Sequence, residues 1–585
     1  MDRWYFFERN LLALSAHNPA LCSRLSTAES TLGRYRFLDS LSGEVIPALV
    51  DRSGAAHALH STVDPVREAA RLVSALKDKN GRFTEGFVVF LGLGAGFAPE
   101  AVLNSGDVSH VVVIDYDING IAELFCSREY ITLLGDPRFT LLVDPPPDLI
   151  ESVILELYRP ALCGGIRVLP LRTRADLDKQ NFNAASDAIQ RAIEKVSSDY
   201  GVQAYFGMRW FANIIRNLGT AQLQNRSAPP IREAAICAAG PSLDDQIPLL
   251  LEQKLRQDKT ARHELFVISA DTALPALLHR GLKPDAVVSI DCQHISYYHF
   301  MGTNCRDIPL FLDIASPPML PGFSDYPFFF SGGHPLAAYV SQQWRPLPLL
   351  DTSGGNVTYA CLSLAESLGA QRITVYGADF SYPAGKVYAR GTYIYPFFER
   401  RQERRSPLEA QLSSFLYRSP FLPAEDGKAP GSEAVPLYET TTLRLYRNSF
   451  ERKISLMEAQ VSAAAGMGIP FAINRETVSR PSGARGRIFS LFAPGKMVMK
   501  ADQFLEQYRR TIEALPVLDN TNSDTGAYMR NLDADARRVF ITLLPQAAAI
   551  KHRRPELTVP DLIEAVKRYS VNEIDRVTLD AMPVF

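Results

Sequence analysis

Residues 351–392 read DTSGGNVTYACLSLAESLGAQRITVYGADFSYPAGKVYARGT, and the order of features in this stretch decides the fold class. It opens on a small-residue turn, Thr352-Ser353-Gly354-Gly355-Asn356, whose bare backbone can approach a phosphate or ribose closely. An apolar-periodic helix follows through Ala360, Leu362, Leu364, Ala365 and Leu368, and then a buried strand, Arg372-Ile373-Thr374-Val375-Tyr376-Gly377. The strand delivers Asp379, Tyr382, Lys386 and Tyr388 into one loop. Turn, helix, strand and polar loop in that order is how an α/β sheet builds a ligand crevice at its strand ends. The expectation is an enzyme acting on a nucleotide-linked substrate.

Working outward, further strands are expected at 234–238, 265–269, 286–290, 310–313 and 328–330, with helices between several of them. That alternation implies a largely parallel sheet. Pro229-Pro230 marks a linker before this domain. Residues 383–438, rich in Arg, Pro and Gly, read as a long surface excursion, and helices dominate beyond it at 444–465, 501–515, 534–551 and 559–569. Upstream, 1–85 reads as a mixed α/β region with short strands at 34–38, 45–50 and 56–59 and a helix at 66–76. Residues 86–228 read as a Rossmann-like domain with a helical linker, in which helices are expected at 172–196 and 208–223. The resulting division is 1–85, 86–228, 229–475 and 476–585: multidomain α/β with a helical C-terminal region.

Composition narrows the function classes. A chain of 585 residues is too long for one core. Hydrophobic content of 46% and charged content of 22% are those of an ordinary folded protein, and a formal charge of -2 excludes a generally basic nucleic-acid binder. The seven cysteines form no C-x-x-C pair, which argues against a zinc site and for a reducing compartment. Apolar runs are too short for a signal peptide or a membrane span, so a cytoplasmic protein with no membrane partner is expected.

Near the N-terminus a strand, Phe87-Val88-Val89-Phe90-Leu91, runs into the turn Gly92-Leu93-Gly94-Ala95-Gly96, and the next strand ends in Asp115. Three glycines with a carboxylate at the following strand end suit a dinucleotide or S-adenosylmethionine site. The structural alternative is a turn that is glycine-rich for packing alone.

A second turn, Ala239-Gly240-Pro241-Ser242-Leu243-Asp244, follows a strand directly. Gly240 permits tightness, and Ser242 can cap the following helix while its hydroxyl and nearby N–H groups face an anion. The alternative is an N-capped helix and nothing more. Ser269-Ala270-Asp271-Thr272 closes the next strand, and Asp291 and Gln293 close the third, so successive strand ends carry polar groups into one crevice.

Thr352-Ser353-Gly354, the helix after it, Gly377-x-Asp379-Phe380 and Tyr388-Ala389 resemble the bacterial sialyltransferases that use CMP-activated sugars. The wider stretch 231–393 resembles more closely the motility accessory factor glycosyltransferases, whose core is shared with pterin diphosphokinase-like proteins. The match rests on the Gly240-Pro241-Ser242-Leu243 turn and on Lys283 to Asp291, KPDAVVSID. Proteins of that family attach nonulosonic (sialic-acid-like) sugars, such as pseudaminic or legionaminic acid, to flagellin. The resemblance implies a CMP-sugar donor, Ser or Thr hydroxyls of flagellin as acceptor, and no required cofactor or metal; no Asp-x-Asp pair stands at these strand ends.

Carried onto this chain, the resemblance places the CMP moiety at Gly240, Pro241 and Ser242, and the donor phosphate and ribose at Thr352, Ser353, Gly354 and Asn356. Asp271, Thr272, Asp291 and Gln293 would read base or ribose, and Lys386 would add positive charge. Tyr382 and Tyr388 match the tyrosines that stabilise the leaving phosphate as negative charge grows on it. The general base stays open: the chain has no histidine between His334 and His552. Asp291, Asp313, Asp379, His294, His299 and His334 are the alternatives, as is a degenerate flagellin-binding protein. Arg400, Arg401, Arg404 and Arg405 would suit a sugar carboxylate or a solvated loop equally.

Overall fold

The computed structural model describes the chain except for residues 1–2, 29–32, 80, 82, 84, 107, 259–264, 417–421, 429–435, 474–491, 519–524 and 581–585. It divides into two compact units, one of residues 1–208 with 511–569 and one of 209–510 with 570–585. Among the described residues no helix is long and apolar enough to cross a membrane.

In the first unit the helices Arg3–Ser15 and Pro19–Ser26 precede an antiparallel sheet, β1 (Tyr35–Asp39), β2 (Val45–Val50) and β3 (Ala56–Ala58). A parallel sheet follows: β4 (Phe87–Leu91), β5 (His110–Asp115), β6 (Phe139–Val143) and β7 (Ile166–Pro170), in the order β6-β5-β4-β7. All five residues of β4 are buried, because parallel strands covered by helices on both faces must be apolar throughout. The helices Thr525–Asn531 and Ala534–Arg553 belong to this unit. The two helices expected within 172–223 are instead the short Arg172–Leu177 and one continuous 45-residue helix, Lys179–Leu223. Gly201 and Gly207 lie within it, but glycine costs a long helix only about 1 kcal/mol, and no proline interrupts it.

The second unit is built on a seven-stranded parallel sheet: β8 (Glu233–Cys237), β9 (Leu265–Ala270), β10 (Ala286–Ser289), β11 (Leu310–Asp313), β12 (Pro327–Phe330) and β13 (Arg372–Tyr376), with the later β17 (Gln460–Ala463). Its order is β12-β11-β10-β9-β8-β13-β17, so the chain runs outward from β8 to β12 and returns to place β13 on the other side of β8. The switch point therefore lies between the carboxyl ends of β8 and β13.

Two expectations change here. The helix placed over 444–465 is Thr441–Leu456; the chain then turns, and Gln460–Ala463 pairs with β13 as an edge strand. The excursion after residue 383 contains two helices, Ile394–Glu399 and Leu408–Leu416, and a small sheet of β14 (Tyr382–Pro383), β15 (Leu422–Lys428) and β16 (Pro436–Glu439) in the order β14-β16-β15.

Candidate functional site

At the switch point the polypeptide fills its own crevice. The Ser242 N–H donates to Asp379 Oδ2 at 2.8 Å, and the Ser242 hydroxyl accepts the Met467 N–H at 2.7 Å. Asp379 thus supplies the anion that the amino end of helix Leu243–Asp258 attracts. It is buried, 5% exposed, and burial pushes its carboxyl up against the opposing pull of the Ser242 hydrogen bonds. A Cβ at Gly240 would strike the Gly377 carbonyl oxygen and the Asp379 carboxylate, which is why glycine stands there. The groups read at 240–242 as a contact to the CMP moiety are bonded within the protein, and Asp379 acts as a cap at the switch point.

Polar and aromatic groups gather at the neighbouring strand ends. The Ala389 N–H donates to the Ala239 carbonyl at 2.9 Å, pinning Tyr388 over the end of β8, and the Tyr395 hydroxyl donates to the Tyr388 carbonyl at 3.0 Å. Asp271, at the end of β9, is 1% exposed and accepts from the Ser289 hydroxyl at 2.6 Å and from the Thr272 N–H at 2.6 Å. Asp291, at the end of β10, accepts the Gln293 N–H at 2.8 Å. Burial, and then the like charge of Asp271, push the Asp291 carboxyl up.

Aromatic groups surround these two carboxylates. The Tyr388 and Tyr393 rings lie 6.3 Å apart, and Tyr393 meets the His299 ring edge-on at 4.6 Å. Burial raises the Tyr388 hydroxyl above its ordinary range, with neighbouring Tyr393, Tyr382, Asp271 and Tyr446 adding to the effect. Burial likewise raises Tyr393, helped by Asp271 and Asp291, and Tyr446, helped by Asp291. Neutral tyrosine hydroxyls are hydrogen-bond donors, so the site offers O–H groups above a carboxylate floor.

The turn at 352–356 is self-supporting. Asp351 Oδ1 accepts the Ser353 N–H at 3.0 Å and the Ser353 hydroxyl at 2.7 Å, while its other oxygen accepts the Tyr359 hydroxyl at 2.7 Å. Asn356 caps helix Val357–Ser367 by accepting the Tyr359 N–H at 2.9 Å, and its amide donates to the Gly354 carbonyl. Thr352 donates to the Gly332 carbonyl at 3.2 Å. Tyr446, on helix Thr441–Leu456, lies against Gly355 and also acts on Asp291, which links this turn to the floor of the crevice. Lys386 is exposed and acts on Asp244 instead, which itself accepts the Arg390 N–H at 3.1 Å.

Of the residues singled out in the sequence, Tyr388, Tyr382, Asp271, Asp291 and Gln293 come together; Asp379 with Gly240 and Ser242 forms a separate closed knot. Tyr393 and Tyr446 were missed. Tyr393 stands only five residues beyond Tyr388, but Tyr446 sits on a helix whose sequence says nothing of which turn it will face. Among the described residues no group of three His, Cys, Asp or Glu side chains is placed to hold a metal ion. A groove of about 430 Å³ lies at the opposite, amino end of the sheet, lined by Leu251, Lys254 and Lys283 among others. Its charges are already paired, Lys254 with Asp285 at 2.8 Å and Lys283 with Asp307, so it offers no comparable chemistry.

In the first unit, the glycine turn after β4 is occupied by the protein itself. Asp115 is fully buried; it accepts the Leu93 N–H at 2.7 Å and pairs with the buried Arg174 at 2.9 Å. His60 Nε2 accepts the Ala95 N–H at 2.8 Å, and the Tyr130 hydroxyl donates to the Gly94 carbonyl at 3.0 Å. Cβ atoms at Gly92, Gly94 and Gly96 would meet Arg174, His60 and Tyr130 respectively. Packing accounts for all three glycines and for Asp115, so the nucleotide reading of this turn gains nothing from the geometry.

Comparison with known proteins agrees with this architecture. Residues 209–385, which carry β8 to β13 of the second unit's sheet, match the family model described as 6-hydroxymethylpterin diphosphokinase MptE-like. Over its full length the chain has the fold of a MAf glycosyltransferase from Magnetospirillum magneticum AMB-1, with a TM-score of 0.60 and 13% identity, covering 100% of this chain and 98% of that one. The resemblance to motility accessory factors read from the motifs thus holds at the level of fold. Curated relatives are uncharacterized proteins of Treponema pallidum (strain Nichols). One is 41% identical over 124 residues, covering 21% of this chain and 42% of the relative; another is 32% identical over 147 residues, covering 25% and 66%. The chain spans about half the length of such relatives, from 33% to 66%.

Proposed function

We propose that the chain is a glycosyltransferase that moves a nonulosonic sugar from a CMP donor to a Ser or Thr hydroxyl of flagellin. The observation that carries this reading is the gathering of the Tyr388, Tyr393 and Tyr446 side chains about Asp271 and Asp291, with the Tyr388 and Tyr393 rings 6.3 Å apart. Breaking the sugar–phosphate bond leaves negative charge on CMP, and neutral O–H donors held in place stabilise it without reorganising. Burial keeps those hydroxyls protonated. The carboxylates suit ribose and sugar hydroxyls, which donate hydrogen bonds, rather than the phosphate. Such chemistry requires no metal ion, and the acceptor hydroxyl attacks directly, inverting the anomeric carbon.

Calorimetric titration with CMP, with UDP and S-adenosylmethionine as controls, tests the donor assignment; transfer from CMP-nonulosonates to flagellin tests the reaction. A folded protein that ignores CMP and transfers no such sugar rules the reading out. The family match over 209–385 supports a second reading, diphosphoryl transfer to a hydroxymethylpterin. Turnover of ATP with 6-hydroxymethylpterin would establish it in place of the first.

A further inference from the structure

His299 lies on the short helix Ile295–Phe300 directly after the end of β10. It is 6% exposed, and its Nδ1 is buried without a hydrogen-bond partner. A buried imidazole nitrogen with no partner is costly, and such exceptions concentrate where function needs them. Tyr393 braces the ring edge-on at 4.6 Å, and Asp291 is near enough to feel its charge. The groups facing it are Asp291 from the loop after β10 and Tyr393 from the segment before helix Ile394–Glu399; Asp271 stands behind, acting on both.

We propose that His299 is the proton acceptor of the transfer reaction, its ring braced by Tyr393 with the Asp291 carboxylate nearby; this deepens the glycosyl-transfer reading and rests on it. The acceptor hydroxyl gives its proton to Nε2 as its oxygen forms a bond to the anomeric carbon. The bond from that carbon to the phosphate oxygen breaks, and its electron pair leaves with CMP, where tyrosine hydroxyls receive the charge. Nε2 afterwards releases the proton to water. Asp291 neutralises the imidazolium while it exists, which is the task of a carboxylate beside a catalytic imidazole. Asp379 and Ser242, bonded to each other, are not available for this step.

The test compares wild type with His299→Gln and His299→Ala for CMP affinity, transfer rate and its pH dependence. The expected result is a loss of at least ~100-fold in kcat, with CMP affinity held within about twofold. Added imidazole should restore part of the His299→Ala rate, a recovery that a merely structural role would not give. In wild type, the acidic limb of kcat/KM should follow the titration of one imidazole seen by 15N NMR and assigned to His299, a measurement that survives if the variants fail to fold. Transfer by His299→Gln within about threefold of wild type, or a limb that follows no histidine, overturns the proposal while the transferase reading stands. A wild type that neither binds CMP nor transfers sugar overturns both.

Discussion

The Asp379 carboxylate accepts the Ser242 N–H at 2.8 Å across 137 positions of sequence, and this bond closes the point where the strand order reverses. Carboxylates meet tyrosines instead at the ends of β9 and β10, where Asp271 and Asp291 lie beside Tyr388 and Tyr393.

Replacing Asp379 by alanine removes a buried cap and leaves the amino end of helix Leu243–Asp258 unsatisfied. The expected loss is about 1–3 kcal/mol in urea unfolding. Asp379→Asn keeps an acceptor oxygen and should cost less. Equal loss from both would mean that the charge, not the hydrogen bond, matters. Gly240→Ala should exceed either, because its methyl group meets the backbone carbonyl of Gly377.

Tyr388→Phe keeps the ring against Tyr393 and deletes only the hydroxyl. If that hydroxyl stabilises a leaving phosphate, kcat should fall about 10- to 100-fold with little change in thermal stability. Transfer kinetics beside a melting curve check it. A drop in stability with unchanged kcat would return Tyr388 to packing.

Breaking the Asp115–Arg174 pair from one side leaves a buried charge unpaired. Arg174→Met should therefore destabilise the protein by about 3–5 kcal/mol, whereas exchanging both partners for apolar residues should cost far less. A double-mutant cycle by denaturant unfolding measures the difference. S-adenosylmethionine should shift none of these transitions, since the turn at 92–96 is filled by His60, Arg174 and Tyr130.

Acid should weaken the structure through its buried histidines. Burial lowers His60 to about 4 and His334 to about 3, and each accepts a backbone N–H that protonation would forfeit. A histidine whose folded value is depressed stabilises the fold fully above its unfolded value, near 6.5, because there both states are neutral. Below that pH the unfolded chain binds the proton and the folded chain does not, so stability declines down to the folded value. The expected loss between pH 6.5 and 4 is of order 1–3 kcal/mol per histidine, and His60→Gln should flatten part of that slope. Unfolding free energies measured across this range decide it.

Much was legible in the sequence because parallel strands buried on both faces leave continuous apolar runs. Phe87–Leu91 and Ala286–Ser289 are strands for that reason, and the turn after Phe87–Leu91 carries glycine where backbones approach closely. The same logic predicted polar groups at successive strand ends, and Asp271 and Asp291 are there. An apolar run does not, however, state its neighbour. Gln460–Ala463 looked like the tail of a helix because four residues carry too little periodicity to tell a strand from a helical turn; pairing with β13 decided it.

What the sequence by itself determined is the α/β class, the order of strands and helices and the chemistry available at each strand end, all consequences of local pattern. Tertiary structure alone decided which groups are spent and which are free. Asp115 and Arg174 lie 59 positions apart and annul each other, Asp379 and Ser242 do the same over 137, and Tyr446 reaches Gly355 from a distant helix. Hydrogen bonds and burial act over a few ångströms whatever the separation along the chain, so the partner of a polar residue is a property of the fold and not of its neighbours in sequence.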